Sequence, residues 1–351
     1  MPAVLILCFI VSSLWPGTDD KRPFTIDDYA NWRSIVSTSI SDDGNWVSFA
    51  YRKTKSDDEF FIKSLISEKE YKVVGASDPI FSDDSRWVVY TLNMPRKEAE
   101  KLRKQKKPVP KKAELIFLST GEKMTFENIS SFSFSKGSGY LAIKKPKTEP
   151  AAKHKGSDLI LYDLHAKSFH NLGNVAEFKF NKPGTHLAYI VDAADKSGNG
   201  LYLFSLSQGI LTVLDADKAE YSQLAWDEKG SALAALKGEK REEFKEKDNV
   251  LLAFTGLGTK NQASHMYEPA KDPDFPKDMV ISERADSSGR SRFRSSTAPV
   301  RGNLFWSEDN TQIFCGLKEQ EKIPKKPEKK EPLEKGNKSA EDDAAEKKKA
   351  D

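Results

Sequence analysis

Apolar and polar positions along this 351-residue chain fall into a frame that recurs six times. The copies are SDDGNWVSFAY from Ser41, SDDSRWVVYTL from Ser82, SKGSGYLAIKK from Ser135, NKPGTHLAYIV from Asn181, DEKGSALAALK from Asp227 and SEDNTQIFCGL from Ser307. The first four residues are turn formers. The fourth is Gly44, Ser85, Ser138, Gly184, Gly230 or Asn310, mostly types that tolerate a left-handed backbone or hydrogen-bond locally. The seventh slot is Val47, Val88, Leu141, Leu187, Leu233 or Ile313, and the ninth is Phe49, Tyr90, Ile143, Tyr189, Ala235 or Cys315. Apolar residues two apart share one face of a strand. Just before each frame stands Ile40, Phe81, Phe134, Phe180, Trp226 or Trp306, and in most copies another apolar residue lies two earlier: Phe132, Phe178, Leu224 or Leu304. Each unit therefore reads as strand, polar turn, strand.

The residues downstream of each frame usually supply two more candidate strands, as in DLILYDL then SFHNL, or GLYLFSL then ILTVL. Frame starts lie 41, 53, 46, 46 and 80 residues apart. Four strands per unit at a spacing of about 40–50 residues predict an all-β chain, a β-propeller of four-stranded blades with six repeats present and the ring incomplete. The 80-residue interval is near two units, or one unit with a long insertion. The predicted organisation is a signal-peptide-like segment at 1–20, a propeller at 22–317, and a Lys/Glu-rich tail at 318–351. The propeller carries a basic insert at 95–112 and a long loop at 256–299.

Local composition fills in these parts. The insert PRKEAEKLRKQKKPVPKK has nine basic and two acidic residues and reads as a charged helical excursion ended by prolines. The stretches GTKNQASHMYEPAKDPDFPKDMV and ERADSSGRSRFRSSTAPVRG read as loops. From Lys318 onward eleven lysines and ten acidic residues, with almost nothing apolar, predict disorder. Upstream, Thr25 and Asp28 approximate a capping box before an apolar face of Tyr29, Trp32 and Ile35, which predicts a short helix leading into the first blade. Ala3 to Trp15 has the length of a signal-peptide apolar core and is too short to span a bilayer comfortably. Export is the expectation, although neither a preceding Lys or Arg nor an A-x-A-like cleavage site accompanies it.

Chemistry is sparse. With 56 basic and 53 acidic side chains, the net charge of +3 implies neither a nucleic-acid nor a membrane partner. Cys8 and Cys315 form no disulfide framework and no metal-ligand spacing. No G-x-S-x-G elbow, phosphate-cradling glycine loop or diagnostic histidine spacing is present. The pairs Asp42-Asp43 and Asp83-Asp84 are turn chemistry, and SKGSGY is a hairpin turn. His165 and His170 flank a turn, His186 fills the slot held elsewhere by Trp46 and Tyr140, and Cys315 is a small buried hydrophobe. His154 and His265 complete the histidines, and no catalytic, cofactor-binding or metal-binding residue is assigned.

The frame resembles the F-S-P-D-G-x-x-L-A-F repeat of TolB-like propellers. In order, FTIDDYANWRSI, STSISDDGNWVSFAY, YSQLAWDEKGSALAAL, FPKDMVISER and LFWSEDNTQIFCGLKE resemble the N-terminal half of the prolyl oligopeptidase family of serine peptidases, over about residues 22–330. That resemblance implies a propeller that caps a hydrolase domain and restricts access to short peptides. In that family the Ser, Asp and His of catalysis lie in a C-terminal α/β-hydrolase domain with no counterpart here, so the expected chain is inactive alone. Its expected partner is a hydrolase domain, missing or on an adjacent chain, or another protein, with peptides as ligands; no cofactor, nucleic acid or stable membrane span is expected. The rival reading is a free-standing TolB-like propeller serving as a protein-interaction module in the cell envelope. A third, acidic-polymer binding by the arginine-rich loop and basic insert, rests on charge alone.

Overall fold

The computed structural model describes residues 25–54, 56–149, 151–283 and 304–324. The apolar leader, nearly all of the arginine-bearing stretch and the tail beyond residue 324 lie outside the described residues. The first blade is an antiparallel sheet of β1 (Arg33–Ile40), β2 (Trp46–Lys53), β3 (Glu59–Ser64) and β4 (Glu70–Val74), in that order. The second repeats it with β5 (Ala76–Phe81), β6 (Trp87–Leu92), β7 (Lys111–Phe117) and β8 (Lys123–Ile129). Its α1 (Arg96–Lys104) lies between β6 and β7, where the basic excursion was expected.

The third and fourth blades share a strand. They comprise β9 (Ser131–Phe134), β10 (Tyr140–Lys144), β11 (Ser157–Asp163), β12 (Ser168–Phe180), β13 (His186–Val191), β14 (Gly200–Ser205) and β15 (Ile210–Ala216). The N-terminal half of β12 pairs with β11 and its C-terminal half with β13, the change falling at Val175, just after left-handed Asn174. The fifth blade is β16 (Glu220–Trp226), β17 (Leu233–Glu239), β18 (Asp248–Thr255) and β19 (Ala263–Tyr267). The described part of the sixth holds β20 (Met279–Ile281) paired with β23 (Leu317–Glu319), and β21 (Phe305–Trp306) paired with β22 (Ile313–Phe314).

The second strand of each blade explains the stacking. Slots seven and nine face the preceding blade and slots eight and ten the following one, because successive side chains on a strand point to opposite faces. Thus Val88 and Tyr90 join Ala50, Phe60 and Ile62 of the first blade, while Val89 joins Leu141, Ile143 and Tyr162 of the third. Ala142 meets Leu187 and Tyr189; Ala188 and Ile190 meet Leu233 and Ala235; Ala234 and Leu236 meet Ile281, Ile313 and Cys315. Every apolar core among the described residues thus lies between consecutive blades, and none joins the sixth blade to the first. First strands of neighbouring blades approach one another, β1 with β5, β12 with β16 and β16 with β21, so they gather on the inner side of the array. The ring is open.

All six polar frames build the same turn. The first residue is almost fully buried in the first five copies, and its side-chain oxygen accepts the N–H of the sixth residue: Trp46 to Ser41 at 3.0 Å, Trp87 to Ser82 at 2.9 Å, Tyr140 to Ser135 at 3.0 Å, His186 to Asn181 at 2.9 Å, Ala232 to Asp227 at 2.7 Å and Gln312 to Ser307 at 3.0 Å. The fourth residue is left-handed in every copy, from φ 55° at Ser85 to 71° at Gly44 and Gly184. Neighbouring turns also bond across blades. Asp43 N–H donates to Ser85 Oγ at 3.1 Å, Gly137 N–H to Asp83 Oδ2 at 2.7 Å, Asn181 Nδ2 to the Gly230 carbonyl at 3.0 Å and Asn310 Nδ2 to Asp227 Oδ2 at 2.7 Å.

Three features differ from the sequence expectation, and a fourth resolves an alternative it left open. The stretch read as a loop from 256 to 299 contains β19, the outer edge of the fifth blade, and β20, which opens the sixth. Every residue of β19 is exposed, so it lacks the apolar alternation that marks a strand in sequence. The 80-residue interval is one unit with an insertion: among the described residues strand pairing stops after Ile281 and resumes at Phe305. Backbone pairing also runs past residue 317, through β23 and a Phe244–Lys322 bridge. The leading helix is a single 3-10 stretch, Ile26–Asn31, with the Thr25 N–H and hydroxyl both donating to Asp28; Ile35 already belongs to β1.

The turn geometry separates two substitutions of one residue type. Gly44→Ala adds a methyl group in open space at φ 71°, so its cost is the left-handed strain of about 1–2 kcal/mol. Gly184→Ala carries the same strain and places its Cβ 2.1 Å from the Lys136 carbonyl oxygen of the third blade, forcing the turns apart. Urea unfolding is expected to show a clearly larger loss for Gly184→Ala than for Gly44→Ala. Leu187→Ala, at a fully buried slot between the third and fourth blades, is expected to cost about 2–5 kcal/mol.

Candidate functional site

The inner strands carry a polar network at a recurring irregularity. In β1, β5 and β16 one extra residue interrupts the pairing with the second strand, and a left-handed residue sits there: Ser37, Asp78 or Gln223. A bulge removes backbone amides from the ladder and leaves them to be satisfied otherwise. In the fifth blade the partner comes from the fourth. The Glu177 carboxylate, projecting from β12, accepts the N–H of Gln223 at 3.0 Å and of Leu224 at 2.9 Å.

Gln223 in turn reaches the sixth blade. Its Nε2 donates to the Ser282 carbonyl at 3.0 Å, and its Oε1 accepts the Leu304 N–H at 2.9 Å. Those two residues are the points where the chain leaves and re-enters the sixth blade's first strand, so one side-chain amide ties both stems of the insertion. Register locates the insertion too: Ser282 N–H donates to the Gly316 carbonyl at 2.8 Å, and the next paired residue is Phe305. In the sixth blade the insertion leaves from the position that corresponds to the bulge of the fifth.

On the other side of Glu177 lies Lys144, slot ten of the third frame. Its Nζ donates to the carbonyls of Val175 and, at 3.0 Å, Ala176. Burial lowers its pKa to about 8, partly opposed by the Glu177 charge. Lys144, reaching β12 from the second strand of the third blade, and Glu177 and Gln223 on the inner strands thus form a run of polar contacts from the third to the sixth blade. In sequence, Ser37, Asp78, Glu177 and Gln223 all stand four positions before their frames, a polar column inside otherwise apolar strands. That column was the available signal, and alignment on the frame's apolar slots passes over it.

A cleft of about 450 Å³ opens between the fifth and sixth blades, lined among others by Arg241, Asp248, Asn249, Phe275, Met279 and Gln320. Arg241 Nη2 donates to Asp248 Oδ1 at 2.8 Å and the guanidinium lies over Phe244, so these two charges at the cleft are paired. Beside it Lys247 pairs with Glu220 at 2.7 Å and Glu283 at 2.9 Å. Burial works against the Lys247 charge, but these two carboxylates outweigh it and raise its pKa. Lys237 likewise bridges Asp215 at 3.1 Å and Asp217 at 2.8 Å. These ion pairs tie strands together, each lysine held between two carboxylates.

The residues singled out in the sequence are dispersed. Trp46 stacks on Tyr71 and Trp87 on Phe117, each edging a different inter-blade core. His165 lies in the turn after β11, held by Asp163, and His170 packs on Phe204. His186 is half-buried, 3.0 Å from the Thr185 hydroxyl, and burial lowers its pKa. Its neighbour Thr185 is engaged by Asn181, inside the turn. His154 lines a separate cleft with Lys145 and Asp158, and His265 pairs opposite Ala253 on β19. Cys315 is half-buried against the last core, and burial raises its thiol pKa. Ser41 holds the Asp43 carboxyl below its usual range, as expected of turn chemistry. Among the described residues no group of three or more His, Cys, Asp or Glu side chains is placed to hold a metal ion. No helix among them is long and apolar enough to cross a membrane.

Consecutive four-stranded antiparallel blades, cores confined to the spaces between them and first strands gathered inward define the class as a β-propeller, here with an open ring. No family model matches the chain, and no curated protein matches its sequence. Solved structures do. TolB from Acinetobacter baumannii is similar at 14% identity and a TM-score of 0.32, over 64% of this chain and 53% of that one. The β-propeller domain of the Trilobed protease from Pyrococcus furiosus is similar at 13% identity and a TM-score of 0.38, over 67% and 71%. A prolyl endopeptidase is similar at 12% identity and a TM-score of 0.39, over 71% of this chain and 38% of that one. The chain thus spans about half the length of TolB and well under half of the endopeptidase.

The polar network gives a pH test. Because the folded pKa of Lys144 lies below its ordinary value of 10.5, the unfolded chain holds the proton more tightly between about pH 8 and 10.5. The Lys144 contribution to stability therefore rises with pH through that window and is flat below it. Urea midpoints of wild type and Lys144→Met should diverge there, wild type gaining relative to the variant. Glu177→Leu, which strips the bulge amides of their acceptor, is expected to cost about 2–4 kcal/mol.

Proposed function

We propose that this chain is the non-catalytic propeller portion of a prolyl-oligopeptidase-like serine peptidase, whose role is to cap a hydrolase domain and gate the approach of peptides. The observation that carries this reading is the ordered series of segments from FTIDDYANWRSI to LFWSEDNTQIFCGLKE, which now map onto the entry strand and blades of one open propeller. The inner strands supply the gate: their bulges and the Lys144–Glu177–Gln223 run fix the inner side of the array, where a peptide would pass. The partner is a hydrolase domain, the ligands are peptides, and the protein is exported through the apolar segment at its N-terminus.

A free-standing propeller acting as an interaction module in the cell envelope is the second reading. It is favoured by one observation, the apolar face that the first blade leaves uncovered.

The purified chain is expected to release no chromophore from proline-containing chromogenic peptides and to take no label from a fluorophosphonate. Turnover abolished by a serine-directed inhibitor would overturn the non-catalytic assignment. The coding sequence beyond codon 351 separates the two readings: a continuing frame with G-x-S-x-G followed by Asp and His supports the peptidase, and an unrelated neighbour after a stop supports the free-standing module.

A further inference from the structure

The two ends of the blade array are complementary. In the second to fifth blades, slots seven and nine are buried by the preceding blade; Val88, Tyr90, Leu141, Ile143, Leu187, Leu233 and Ala235 are all fully covered. The same slots of the first blade, Val47 and Phe49, are only half-buried. Strand register puts Ile35 and Tyr51, Ile40 and Val47, Phe49 and Phe61, and Glu59 and Val74 on this one face. Ile35 is 63% exposed and Ile40 61%. Phe49, Tyr51 and Phe61 pack together with centroids 5.3–5.6 Å apart, and Lys72 and Arg33 lie over Phe61 and Tyr51 at the rim. An aromatic centre with a charged rim has the anatomy of an interface.

At the opposite end, slot eight of the sixth blade is Phe314, 44% exposed and stacked at 4.8 Å on Phe305, itself 37% exposed. Slot eight is the position that meets slots seven and nine of the following blade in the second to fifth blades. Among the described residues, the exposed half at one end is therefore the half that the exposed face at the other end lacks. Repeat arrays ordinarily end in polar caps, and among the described residues neither of these two faces is covered by one.

We propose that the open face of the first blade is an interface for a second copy of this chain, which seats the Phe305–Phe314 side of its sixth blade against Phe49, Phe61, Ile35 and Ile40. The contact is heterologous, head to tail, and repeats the geometry of the buried inter-blade cores. It does not rest on the peptidase reading, since it follows from the blade repeat alone.

Sedimentation velocity of the full chain over a concentration series tests it. Wild type is expected to associate as concentration rises. Phe49→Asp disables one end and Phe314→Asp the other, and each is expected to weaken self-association more than about tenfold. Equimolar mixing of the two variants restores a dimer and stops there, because each supplies the half the other has lost. Ile40→Lys, at a more exposed site, replaces Phe49→Asp should that variant not fold by circular dichroism. Three outcomes overturn the proposal: a wild type that stays monomeric at every soluble concentration, association unchanged in both variants, or a mixture that remains monomeric. Sixth-to-first closure within one chain gives the first of these.

Discussion

The constraint on which this structure depends is that each blade's second strand must be buried on both faces. One face alone, slots seven and nine, would suit a sandwich; the other, slots eight and ten, carries Val89, Ala142, Ala188 and Ile190, and Ala234 and Leu236. A sheet with two apolar faces needs a neighbour on each side, so blades stack in single file and stability resides in the spaces between them. Small residues predominate at slot eight in the middle of the array, where Ala142, Ala188 and Ala234 leave room for the larger slot-nine side chains of the next blade. A blade removed from this stack would have no core of its own.

Burying the strands forces the chain to bury its turns as well. The first residue of each frame lies at the end of a covered strand and cannot leave the sixth residue's N–H unpaired. Ser, Asn and Asp solve this equally, because each carries an oxygen within reach of that amide, which is why the slot tolerates Ser41, Asn181 and Asp227 alike. The left-handed fourth residue completes the reversal. Once the turns are packed side by side they bond to each other, so the polar part of the repeat, like the apolar part, holds blade to blade.

The inner network follows the same logic where the sheet is least regular. Bulges bend and twist the first strands, and in the fifth blade the amides so freed find their acceptor on the preceding blade. Glu177 serves the fifth blade and Gln223 the sixth, and the insertion of the sixth blade leaves from the same irregular position. A long insertion is tolerated at a bulge because the ladder is already broken there. This is also the part of the molecule that is hardest to see in the sequence. Glu177 and Gln223 have no motif around them, and their contacts join residues about 46 and 59 positions apart in different blades.

From sequence alone came the blade as a unit, the left-handed fourth slot, and the strand faces of slots seven and nine. These rest on short-range rules, a period of two and the conformational range of single residue types, so eleven consecutive residues are enough to show them. Tertiary structure alone decided that slots eight and ten form a second interface, that β19 is a strand although every side chain on it is exposed, that the long interval is one blade with an insertion, and that apolar side chains of the first and sixth blades stand exposed among the described residues. Those depend on which sheet lies against which. Burial is a property of the neighbour as much as of the residue, and a strand without a neighbour carries no apolar signature to read.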